Sequence, residues 1–82
     1  MKLAKAARRI LGTLVDLVDL TVAEVIRARG GTAANVREAG PWADRSLGDA
    51  AMAAALGDQT AGKAIKIAKQ ARRLGRKYGG DS

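Results

Sequence analysis

LAKAARRILGTLVDLVDLTVAEVIR, residues 3–27, is the stretch that decides the fold. Projected at about 100° per residue, it places every charged side chain within an arc of roughly 160° whose middle is marked by Lys5, Arg9, Asp16 and Arg27. Opposite lie Leu3, Ala7, Ile10, Leu11, Leu14, Leu17, Val18, Val22 and Val25, an apolar face wider than half the circumference. Val15, Val18, Val22, Val25 and Ile26 are β-branched, yet their spacing follows the helical period and not strand alternation. The pattern predicts a helix over about residues 3–29.

Outward from this stretch, Gly30-Gly31 supplies the stop, because glycine past the last periodic residue commonly ends a helix. Thr32 to Ala39 can add two turns capped by Thr32, after which Gly40-Pro41 stops that piece and starts the next. From Trp42 to Tyr78 a second long helix is allowed. Gly48, Gly57 and Gly62 each weaken it by about 1 kcal/mol relative to alanine, and a break near Gly57-Asp58 with Asp58 as a new cap is the alternative. The expected fold is all-α: an extended helix-turn-helix hairpin of two long helices over residues 1–82, with a turn region at 30–41 and a second helix over about 42–78.

Such a hairpin is a rod. At about 1.5 Å per residue the first helix alone runs nearly 40 Å, and the turn sends both termini to one end. A two-helix rod buries one stripe per helix, so the broad face of the first helix and the all-round apolar block Ala50 to Leu56 need neighbours, either copies of the chain or a membrane. Leu14, Val18, Val22, Val25, Ala51, Met52, Ala54 and Leu56 are the candidate subunit-packing residues.

The totals point the same way. A chain of 82 residues forms one domain at most and is marginally stable alone. It has no Cys and no His, which removes disulfides and the common structural zinc sites and leaves partners to compensate. The lack of thiols is compatible with either redox compartment. Fifteen Lys and Arg stand against eight acids, for a net charge of +7, which favours polyanions such as nucleic acid or anionic membrane. Lys2, Lys5, Arg8 and Arg9 crowd the start, and Lys63, Lys66, Lys69, Arg72, Arg73, Arg76 and Lys77 crowd the end, around a mildly acidic middle. The basic start followed by an apolar run imitates a signal peptide, but Asp16 and Asp19 interrupt it and no clear cleavage site follows, so it reads as mature sequence. A span over Ile10 to Ile26 would bury Asp16, Asp19 and Glu24 at about 2.5 to 3.5 kcal/mol each when central, which argues against a simple transmembrane helix.

Catalytic signals are weak. Gly57 to Lys63 fits the first seven places of the P-loop pattern, but Ala64 stands where the magnesium-binding Ser or Thr belongs and no strand precedes the loop. Asp16 and Asp19 lie one turn apart and can share a proton in principle; such a pair is more often a solvated stripe or meets cations on a neighbouring subunit. Arg29-Gly30-Gly31 is a lone RGG unit at a helix end. Trp42 beside Pro41 reads as a packing cap over the turn, with an exposed partner anchor as the alternative. No catalytic residue, metal site or cofactor is expected.

The Lys63 to Lys77 cluster is the strongest functional signal. Lys66, Lys69, Arg73, Arg76 and Lys77 form a ribbon along one helical face, with Ala64, Ile65, Ile67, Ala68, Ala71 and Leu74 on the other. That arrangement suits phosphate contacts from one side while the other stays packed. Gln70 and Tyr78 are the cluster's lone amide and aromatic, which gives base reading or strand stacking little to work with. Anionic lipid and a merely solvated face are the competing explanations.

This layout resembles the major coat proteins of rod-shaped and bacilliform archaeal DNA viruses, the clavavirus (Aeropyrum pernix bacilliform virus-like) family in particular. The residues that carry the resemblance are basic Lys2 to Arg9, apolar Leu14 to Ile26, Gly30-Gly31 and Gly40-Pro41-Trp42 in the turn, small and apolar Ala50 to Leu56, and basic Lys63 to Lys77, across nearly the whole chain. The resemblance implies hairpins stacked side by side into a helical capsid tube of many copies, with charged ends in a lumen around double-stranded DNA and the turn outside. The expected site is then Lys2, Lys5, Arg8, Arg9, Lys66, Lys69, Arg72, Arg73, Arg76 and Lys77 on DNA phosphates, in a structural virion protein and not an enzyme. Scarcity of His, Cys, Asn and Gln also suits a thermophilic source. The alternatives are a membrane-active helical protein resembling circular bacteriocins, a pilin-like subunit that uses lipid as filler, and a chromatin-like DNA compactor.

Overall fold

Gly12 ends the first helix one third of the way along the stripe. In the computed structural model, which describes the backbone of residues 3–78 and the side chains of residues 3–71, this glycine takes φ +58°, a region that L side chains rarely enter. Helix α1 is therefore Lys5–Leu11, and a 3-10 segment, Gly12–Leu17, follows it. The chain then turns at Val18 to Leu20 and restarts as α2, Val22–Ala28. Thr21 and Glu24 form a reciprocal capping box at that restart: the Thr21 amide donates to Glu24 Oε1 at 2.9 Å, and the Glu24 amide donates to Thr21 Oγ1 at 3.0 Å. The continuous helix expected over 3–29 is thus corrected to three pieces.

Gly30-Gly31 stops α2 as the sequence predicts. The Gly31 amide donates to Ile26 O at 2.8 Å and the Gly30 amide to Arg27 O at 3.1 Å, the paired closure of a Schellman motif. Thr32 caps α3, Ala33–Glu38, and its partner Asn35 is buried because its side chain answers the Thr32 amide and hydroxyl at 2.8 and 3.0 Å.

The second expected helix is also segmented. A 3-10 segment, Gly40–Asp44, begins with Pro41 and leads to Ser46, whose hydroxyl accepts from the Asp49 amide and caps α4, Leu47–Ala55. Gly57, at φ +101°, closes α4 through the Gly57 and Asp58 amides, which donate to Ala54 O and Ala53 O at 3.0 Å each. Asp58 then accepts from the Ala61 amide through Oδ1 at 3.0 Å and caps α5, Gln59–Tyr78. Two caps are tied together across the molecule: Thr21 and Ser46 form an antiparallel bridge, with Val22 N to Arg45 O at 2.9 Å and Leu47 N to Leu20 O at 2.7 Å.

These corners fold the chain back on itself. The described residues are all-α, with α5 packed chiefly on α4 and α2, and α1 lying against α4. The core joins Leu11, Leu14, Val22, Val25, Ile26 and Leu47 to an alanine seam of Ala50 and Ala51 from α4 and Ala64, Ala68 and Ala71 from α5. Small side chains let those two helices approach closely. The radius of gyration is 11.8 Å, against about 12 Å for a compact chain of this length, and the extents are 38 × 21 × 16 Å. The extended two-helix rod is not the form observed. Folding back buries the wide apolar face inside the chain, where a straight 40 Å helix leaves most of it in water.

Candidate nucleic-acid interface

On α1, Ala7 and Leu11 turn into the core while Lys5, Arg8 and Arg9 stay exposed. On α5, Ala61, Ala64, Ile65, Ile67, Ala68 and Ala71 are buried and Lys63, Lys66 and Lys69 are exposed, as the sequence period predicts. Both helices therefore present cations to solvent because their apolar sides are occupied.

The two cationic helices meet at Gly12. A Cβ placed on that glycine would lie 3.6 Å from Cε and 3.7 Å from Nζ of Lys69, ordinary contact distances, so the lysine stem passes directly over the end of α1. The Gly12 amide closes on Arg8 O, which puts the Lys69 ammonium within one helical turn of Arg8 and beside the electronegative end of α1. Lys66 precedes Lys69 by one turn along the same face of α5.

Arg29, which the sequence marks only as a helix end, joins this group. Its Nη2 donates to the backbone oxygen of Lys69 at 3.1 Å, pinning the end of α2 to α5. Its Nε is buried and faces no acceptor among the described residues. The contact spans forty positions, and no local spacing could have announced it. An open hollow of about 380 Å³, with a mixed polar and apolar lining, is bounded by Leu3, Arg8, Gly12, Val15 and Val18.

Of the expected phosphate-binding residues, the structure lays the Lys69 stem against Gly12 at the end of α1, the helix that carries Lys5, Arg8 and Arg9, with Lys66 one turn before Lys69 on α5. Lys2 lies outside the described residues, as do the side chains of Arg72, Arg73, Arg76 and Lys77, whose backbone continues α5. The expected subunit-packing residues are placed as follows. Leu14, Val22, Val25 and Ala51 are buried in the chain's own core, Val18, Met52 and Ala54 are half-buried, and Leu56 alone of that set is exposed, at 86%.

Comparison with protein-family profiles, curated proteins and solved structures finds no match to this chain. Among the described residues no helix is long and apolar enough to cross a membrane, and no cluster of three potential metal ligands occurs.

Proposed function

We propose that the protein is a structural DNA-binding subunit, a virion coat protein whose cationic face neutralises the phosphates of packaged double-stranded DNA without reading sequence. The observation that carries it is the meeting of cationic α5 and cationic α1 where Lys69 lies against Gly12, with Arg29 bonded to the Lys69 backbone oxygen, on helices whose other sides are packed. Point charges on long stems fit phosphate oxygens spaced along a duplex, and the described part of this face offers Gln70 as its amide for base edges. Repetition in a tube is what the coat-protein resemblance adds. Compact bundles replace the side-by-side extended hairpins in this picture, because the chain consumes its broad apolar face internally.

The test is a titration of mixed-sequence duplex over about 50 to 200 mM salt, where log affinity should fall linearly with log salt by roughly 0.9 per phosphate contact. Changing Lys66 and Lys69 to Gln together should reduce the magnitude of that slope by about 2. Binding that ignores salt, or that follows one sequence, contradicts the proposal. Electron microscopy of the protein with DNA then asks whether a protein tube encloses the duplex.

A second possibility has its own observation: a hollow lined by Leu3, Val15 and Val18 together with Arg8 offers apolar side chains for an acyl chain and a cation for an anionic headgroup. Pelleting with anionic vesicles at salt that abolishes DNA binding, or leakage from them, would favour that membrane role.

A further inference from the structure

Among the described residues, Leu56 is the large apolar side chain that the fold leaves exposed. It is 86% exposed, and the fold holds it there: it sits at the end of α4, between the Ala53 and Ala54 carbonyls that close the helix and the Asp58 cap that opens α5. A leucine fixed on a rigid corner loses little freedom when something covers it.

A hollow lies just before the other end of the same helix. Pro41, Trp42 and Arg45 line an open depression of about 250 Å³, with the Arg45 guanidinium 5.8 Å from the centre of the half-buried Trp42 ring. The proline and indole surfaces are apolar, and a guanidinium over the ring still has N–H donors for an anion. Leu56 cannot reach this hollow within its own chain, because the nine residues of α4 separate them by about 14 Å of helix.

We propose that Leu56 of one copy seats in the Pro41–Trp42–Arg45 hollow of the next, so that copies add head to tail along the direction of α4. Charge favours a second copy as the occupant. Asp58, exposed two residues beyond Leu56, commits Oδ1 to the Ala61 amide and presents a carboxylate to the neighbour's Arg45 as the leucine docks. Knob and hollow are different patches, so the contact is heterologous and repeats into an open helical filament or a ring, whereas a two-fold dimer would use one patch twice. The contact rests on the assembly half of the coat-protein reading and is independent of its DNA-binding half.

Sedimentation of the full chain without DNA tests this. The average mass of the wild type should climb steadily with concentration, while Leu56→Ser should associate about tenfold or more weakly and remain near 8.5 kDa. Arg45→Glu, which alters the hollow on an exposed side chain, should also stay monomeric. Mixing the two variants is the decisive step: the intact knob of Arg45→Glu fits the intact hollow of Leu56→Ser, and growth should stop at the two-chain mass. A wild type that remains a monomer, a Leu56→Ser that assembles like the wild type, or a mixture that yields no two-chain species overturns the contact. Duplex binding by dilute Leu56→Ser, expected to equal that of the wild type, tests the DNA-binding half separately, and circular dichroism of both variants confirms the fold.

Discussion

A methyl group on Gly31 would strike Cγ2 of Ile26, lie 2.9 Å from the Ile26 carbonyl oxygen and 3.2 Å from the Ala71 side chain. Backbone and buried core bound the site on three sides, so nothing flexible can give way. Gly31→Ala should therefore lower stability by about 1–3 kcal/mol, the usual cost of overpacking, read as an earlier midpoint in urea; a midpoint equal to the wild type would mean that α2 and α5 part easily. The sequence marks Gly30-Gly31 as a helix end, and it is one. Why the second glycine is needed is visible only with α5 in place, since Ala71 is forty residues away in the chain. Arg29 illustrates the same limit: its charge is plain in the sequence, but its bond to the Lys69 carbonyl depends on how α2 and α5 cross.

Elements fared differently from residues. The amphipathic period correctly separated the buried side of α5 from its cationic side, because an interior helix face and a solvent face differ in every turn. It misled over residues 3–27, where the apolar stripe runs unbroken through Gly12 and Thr21 while the backbone does not. The breaks are written in local chemistry: a glycine in the left-handed region at residue 12, and the Thr21-x-x-Glu24 pattern, which competes for amides that a continuous helix would bond elsewhere. Ser46-x-x-Asp49 marks the start of α4 in the same way. The capping box also titrates. Hydrogen bonds from Thr21 and, to a lesser degree, the charge of Arg27 hold the Glu24 carboxyl below its ordinary value of 4.5. A group with a depressed folded pKa contributes stability above its unfolded pKa and loses it as pH falls through the folded value. Lowering the pH through and below 4.5 should thus weaken α2, and Glu24→Gln should flatten that part of the stability profile in urea titrations. An unchanged acid limb in the variant would show that Glu24 is not the group responsible.

For the molecule as a whole, the same arrangement that attracts DNA works against the free fold. A net charge of +7 is carried by 82 residues, and folding lays Lys69 against Gly12 of cationic α1 and bonds Arg29 to the Lys69 backbone oxygen while the buried sides of α1 and α5 are being packed. In the unfolded chain the cations of α1 and Lys69 are about sixty positions apart and their mutual repulsion is largely screened; in the folded chain the two helices meet at Gly12. Added salt should therefore raise the melting temperature, in the opposite direction to its effect on DNA affinity. Relief of 1 kcal/mol would appear as a shift of about 4–8 °C for a domain of this size. Duplex DNA at low salt should do the same by a different route, since a ligand that binds the folded chain at about 100 times its dissociation constant adds about 2.7 kcal/mol. Scanning calorimetry across salt, with and without DNA, separates the two: salt alone should stabilise, and the extra stabilisation from DNA should vanish as salt rises. A melting temperature that falls with added salt would show that attraction between the acidic middle and the basic ends outweighs the repulsion between the cationic helices α1 and α5, and the cationic face would then be a partner of the chain's own carboxylates before it is one of DNA.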